Sequence, residues 1–141
     1  MKKIQALHQY LLTLGITTPK QLDSYVDMLK SKSAGRPLEC DSDKVVISEC
    51  TYTARFFITG YPFIRYPIAW LSASIDAWLL DVDDERKDLP ETIINIDVND
   101  KNGAKGDTAD LEFEVIFDEL IVIEPNENGL ISYQDHRWSI V

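Results

Sequence analysis

Basic residues are scarce in this chain: 14 Lys and Arg stand against 24 Asp and Glu, a net charge of −10 over 141 residues. A protein that tracks phosphates needs a dense cationic footprint, so sequence-specific nucleic-acid binding is not expected. Cysteine is nearly absent. Cys40 and Cys50 make no disulfide framework and read as free thiols of a reducing compartment. The two histidines, His8 and His136, have no metal-ligand spacing and no Gly-x-Ser-x-Gly nucleophile motif beside them. Glycine forms no phosphate-cradling loop, and Leu71-Ser-Ala-Ser74 reads as helix surface rather than a Ser-x-x-Lys site. The residues therefore call for no catalytic group, metal or cofactor, and the expectation is that the chain is not an enzyme. No apolar run approaches the ~20 residues that cross a bilayer. The start, Met1 to Gln9, is broken by Gln5, His8 and Gln9 and fails as a signal peptide. The expectation is a cytosolic chain with no membrane partner, leaving the cell only as part of a larger particle.

What is present is an ordinary globular composition, 45% hydrophobic and 27% charged. A chain of this length fits one domain, residues 1–141. Ile4, Leu7, Leu11 and Leu14 recur at spacings of three and four, the stripe of an amphipathic helix that Gly15 ends. Thr18-Pro19 reads as an N-cap with proline at the first helical position, and Leu22, Tyr25, Val26 and Leu29 make a second stripe. A short N-terminal helical pair is predicted.

A first edge strand is placed at Leu38 to Cys40, and from Val45 the period becomes two. Val46, Cys50, Tyr52, Ala54, Phe56 and Ile58 share one face of a half-buried strand. The main helix is predicted over 62–80, with Pro67 opening its regular part and Ile64, Ile68, Leu71, Ile75, Trp78 and Leu79 facing the sheet. Ile94, Ile96 and Val98 then begin a hairpin whose return strand carries Leu111, Phe113, Val115, Phe117, Ile121 and Ile123 in one phase. That return strand, at ~13 residues and roughly 43 Å, exceeds the usual length. Asn126-Glu-Asn-Gly129 predicts a turn before a last strand. The predicted fold is α+β: an antiparallel sheet of about four strands with one main helix packed across a face.

Four features draw functional interest. Asp97 to Gly103 is acidic enough to suggest a calcium loop, but Lys101 falls at the fifth position and Thr108 at the twelfth, which rules the EF-hand out. A hairpin loop of roughly a dozen residues, 99 to 110, remains, and loops of that length are usually functional. Asn102, Gly103 and Lys105 are its candidate contact residues. The run Asp81 to Asp88 is a solvated helix end or, less simply, a cation site; its carboxylates sit where the helix dipole disfavours them. Glu119 lies in phase with Phe117 and Ile121 on the face that should be buried, so a bulge, an arginine partner or a subunit interface must account for it. Tyr61, Phe63, Tyr66 and Trp70 crowd the start of the main helix, as core or as a protein interface.

Several of these strings resemble the phage tail-completion protein R family, the small tail-terminator class of contractile-tailed phages. Tyr52-Thr-Ala-Arg-Phe-Phe-Ile-Thr59 is similar to its long first strand, and Tyr66-Pro-Ile-Ala-Trp-Leu71 to the opening of its central helix. Ile96-Asp-Val-Asn-Asp100, Asp110-Leu-Glu-Phe113 and Glu119 fall where its hairpin has similar residues, while the chain from about Asn126 departs. The resemblance implies a non-enzymatic phage or prophage protein that caps the finished tail tube and offers the docking face for the filled head. It implies a homo-oligomeric ring, hexameric in the particle. Its partners would be the tail tube or sheath protein and the neck proteins, met in the host cytoplasm before residence in the virion tail. The alternatives are another head–tail neck or connector component, or a small cytosolic enzyme with no recognisable motif.

Overall fold

The N-terminal stripe folds as expected into helix α1, Lys2–Thr13, burying Ile4, Leu7 and Leu11. The protein is seen here as a computed structural model that describes residues 1–86, 88–101 and 103–141, with nothing described of the side chains of Ser42 and Lys101. At the start of α1, the Ile4 N–H donates to the Tyr52 hydroxyl at 3.2 Å, which satisfies one of the helix's free first-turn donors.

The second predicted helix is a strand, β1, Leu22–Leu38. Leu22, Ser24 and Val26 alternate inward while Asp23, Tyr25 and Asp27 point out. The 22/25/26/29 spacing that suggests a helix arises because Tyr25 belongs to the opposite face, where it stacks on Phe57 with centroids 5.8 Å apart. Thr18 serves as a turn residue rather than an N-cap: its carbonyl accepts from the N–H groups of Gln21 and Leu22, both at 3.0 Å. A turn at Glu39-Cys40 leads into β2, Asp41–Tyr61, so the edge strand expected at 38–40 is the end of β1 and a turn. Along β2, Val46, Cys50, Tyr52, Ala54, Phe56 and Ile58 are all buried, the period-two face read from the sequence.

Helix α2 spans Ile68–Val82 with Pro67 as its N-cap, and Leu71, Ile75 and Leu79 are its buried side. Ile68 and Trp78 lie half-buried on the same core. Ile64 does not: it precedes the helix and is exposed. Strands β3, Ile93–Lys101, and β4, Ala104–Pro125, pair antiparallel from Ile93↔Glu114 to Lys101↔Ala104, with one irregularity between Val98 and Asp100. The long loop expected at 99–110 is thus replaced by continuing strands. Its Asn, Asp, Gly and Lys content reads as turn chemistry, yet the backbone stays laddered, aided by Asn99 Nδ2 donating to Thr108 Oγ1 at 3.1 Å. A short hairpin, β5 (Ile131–Tyr133) and β6 (His136–Ile140), completes the chain.

The fold is mixed α/β, two helices with an antiparallel sheet of about six strands in place of the expected four. Strand order is β1-β2-β4-β6-β5, with β3 also paired to β4. Two compact units are formed: Met1–Met28 with Tyr52–Phe117, and Leu29–Thr51 with Asp118–Val141. In the first, α1 and α2 share a core with β2 and β4, where Phe56 and Phe113 stack at 4.9 Å. In the second, Trp138 is buried and donates its indole N–H to the Tyr133 carbonyl at 2.8 Å.

Candidate functional site

The four aromatic candidates separate into two pairs. Tyr61 is fully buried and Phe63 packs half-buried on the first unit's core, so both serve the interior. Tyr66 and Trp70 meet at the surface, rings tilted with centroids 5.9 Å apart, and the Arg65 guanidinium lies 5.3 Å over the Tyr66 ring. Trp70 remains 41% exposed.

The Tyr61 hydroxyl is buried and has no hydrogen-bond partner among the described residues. Burial, helped by nearby Tyr66, pushes its pKa from 10.0 up to about 12. A raised folded-state pKa stabilises the fold fully below pH 10, and that contribution is lost as pH rises through the folded value of about 12. Tyr61→Phe is therefore expected to change stability by less than ~1 kcal/mol at pH 7, since no bond is lost. Denaturant melts above pH 10 should show wild type losing stability more steeply than the variant. Parallel alkaline limbs would show that Tyr61 is not the responsible group.

Trp70 belongs to a larger surface that the sequence reading missed. The inner side of α2 carries Leu71, Ile75 and Leu79, but its outer side is also apolar: Ala69, Trp70, Ala73, Ala77 and Leu80 are all exposed, Leu80 at 73%, followed by exposed Val82. A helix apolar all round is normally buried all round. The signal was available, because Asp76 and Asp81 are the only charged residues of the helix.

At the end of α2 and past it, the acidic run splits by role. Asp83 is 4% exposed and ion-paired to Lys3 Nζ at 2.6 Å and to Arg86 at 2.7 Å. Its N–H also donates to the Leu79 carbonyl at 2.9 Å, closing the helix. Asp81, Asp84, Glu85 and Asp88 are exposed.

On the other candidates the structure is mixed. Asn102 lies outside the described residues. Gly103, at φ +78°, and Lys105 are exposed beside the hairpin tip, and that positive φ is what the turn requires of glycine. Glu119 is half-buried and not without a partner. Every odd position from Ala109 to Phe117 is buried, Glu119 and Ile121 follow half-buried, and Ile123 is buried again.

Among the described residues, polar clusters with catalytic geometry are few. His8 Nδ1 lies 2.7 Å from Ser24 Oγ, a base–nucleophile distance, but no acidic group among the described residues is seen orienting the imidazole. Arg55 bridges Asp27 at 2.5 Å, Glu112 at 2.7 Å and Glu114 at 2.5 Å, a structural knot on the outer sheet face of the first unit. Its guanidinium is held charged more firmly than usual, chiefly by the hydrogen bond to Asp27. Among the described residues no three His, Cys, Asp or Glu side chains gather as a metal-holding group, and no helix is long and apolar enough to cross a membrane.

The surface feature that stands out among the described residues is thus the exposed apolar side of α2. No curated protein and no solved structure matches the chain significantly. The family model of the P2 phage tail completion protein R matches residues 1–140, nearly end to end. The chain belongs to that family of structural phage tail proteins.

Proposed function

We propose that this protein caps the completed tail tube, ends its polymerisation and presents the surface on which the filled head docks. It acts as a closed homo-oligomeric ring, hexameric in the particle. It is made in the host cytoplasm from a phage or prophage gene and contacts the tube or sheath protein on one side and neck proteins on the other. The observation that carries this reading is the unpartnered outer face of α2 in a member of the tail-completion family: Trp70 and Leu80 are held in water by a helix that already has a buried side. Exposed apolar faces of this kind mark interaction sites, and in a tail-completion family the partner is another protein. Tyr66, Trp70, Gly103, Lys105 and Glu119 are retained as interface residues; Tyr61 and Phe63 act behind them, by fixing the approach to α2.

Net charge supports the same reading. With 24 acids against 14 bases, a ring of such subunits gains nothing by releasing counterions from DNA, so the genome passes without sticking. The test is polymerisation of purified tube protein with and without this chain. Tubes that stop growing, with the protein at one end, are the expected result. Unchanged growth with no bound protein would overturn the capping role, and binding at the neck without arrest would favour a connector.

A further inference from the structure

The outer face of α2 has an acidic rim. Asp76, Asp81, Asp84 and Glu85 are exposed and form no ion pair among the described residues. A patch of the opposite character lies on β1. Met28 is 58% and Leu29 52% exposed, and Lys30 and Lys32 follow, exposed and likewise unpaired among the described residues. Ser31 lies 3.7 Å from Cys50 through its hydroxyl, so Lys30 and Lys32, one position to either side, share the face pointing away. β1 is an edge strand, and lysines on an edge oppose pairing by another strand. They do not oppose an acidic helix. Met28 to Lys32 spans about 13 Å as a strand, and Trp70 to Leu80 about 15 Å as a helix, so the two surfaces match in length.

We propose that the outer face of α2 in one copy seats the Met28–Lys32 stretch of β1 from the next copy. Met28, in step with Lys30 and Lys32, packs on the apolar outer face of α2, and the two lysines meet the carboxylates of Asp76 and Asp81. The occupant is a second copy because the required cation-and-apolar surface is present on this chain, which is otherwise acidic. The contact joins two different patches, the heterologous kind of contact from which a closed ring is built. This inference rests on the ring-subunit reading above and names its contact.

The test uses full-length chains in the tube-arrest assay. Variant one carries Lys30→Glu and Lys32→Glu; variant two carries Asp76→Lys and Asp81→Lys. Each alone is expected to need at least ~10-fold more protein to arrest growth, the equivalent of ~1.4 kcal/mol. An equimolar mixture should restore arrest, since each reversed β1 then meets a reversed α2 and each native β1 a native α2. Wild-type activity of both variants, or a mixture no better than its parts, would overturn the contact and leave the capping role standing. Should wild type itself fail to cap, the contact is still read directly. A Lys30→Cys chain mixed with an Asp81→Cys chain, both with exposed Cys40 changed to serine, is oxidised. A mixed covalent dimer is expected; its absence, or preferential self-linking of either chain, would overturn the proposal.

Discussion

Replacing Gly129 with alanine is expected to cost about 3–5 kcal/mol, among the largest effects of any single exchange in this chain. An added Cβ would lie 2.0 Å from the Trp138 carbonyl oxygen, 2.3 Å from its carbon and 2.9 Å from its nitrogen. All three are backbone atoms, so no side-chain rotation relieves the clash. Nor can the strand shift, because Trp138 is paired to Pro125 of β4 on one side and to Ile131 of β5 on the other. The turn that carries Gly129 is pinned as well: its N–H donates to the Asn126 carbonyl at 2.8 Å, and the Asn126 N–H donates to the Arg137 carbonyl at 3.0 Å. The urea midpoint should fall accordingly, and amides of residues 126–141 should lose exchange protection first. An alanine variant within ~0.5 kcal/mol of wild type would mean the hairpin does not pack on residue 129 as described.

Asp83→Asn should cost about 3 kcal/mol. The carboxylate is almost wholly buried, and it joins Lys3 of α1 to Arg86 beyond the end of α2. The Arg86 guanidinium is itself only 14% exposed and lies 5.7 Å over the Phe117 ring, so it cannot regain water without leaving that contact. Removing the one charge leaves a cation stranded in a half-dry site, which costs more than the pair was worth. Asp84→Asn and Glu85→Gln, on exposed carboxylates one and two residues away, should stay within ~0.5 kcal/mol. The comparison is made by chemical denaturation of the three variants. Equal effects at 83, 84 and 85 would show the run acting as a diffuse charge rather than through one tie.

This split shows where sequence reasoning reaches its limit. The run at 81–88 reads as a single solvated helix end, and the sequence carries no mark that distinguishes Asp83 from Asp84. Burial of Asp83 depends on Lys3, eighty residues earlier, arriving by tertiary packing. The same holds for β1: Leu22, Tyr25, Val26 and Leu29 satisfy a helical stripe, and only pairing with β2 turns Tyr25 to the opposite face. Near the hairpin tip, turn-forming composition at 99–110 is overruled by strand pairing that resumes, after one irregularity, from Asp100↔Lys105 to Lys101↔Ala104. By contrast, α1, β2 and the inward phase of β4 are legible because their apolar periods repeat with a single interruption at most, Ser48 in β2 and Glu119 in β4, and the start of α2 is marked by Pro67. Of the interface candidates, Trp70 and Tyr66 could be found from their crowding, whereas Tyr61 could not be told from a surface residue until its neighbours were placed. The outer face of α2 was legible in principle. A helix with alanine, tryptophan and leucine on the side away from its core reads at first as well buried, and only the position of the sheet shows that this side is left exposed among the described residues.

Electron microscopy of lysates from a strain with an in-frame deletion of this gene tests the central claim most directly. Overlong or unterminated tail tubes beside filled, tailless heads are the predicted result, reversed when the intact gene is supplied in trans. Particles with joined heads and tails of normal length would contradict it.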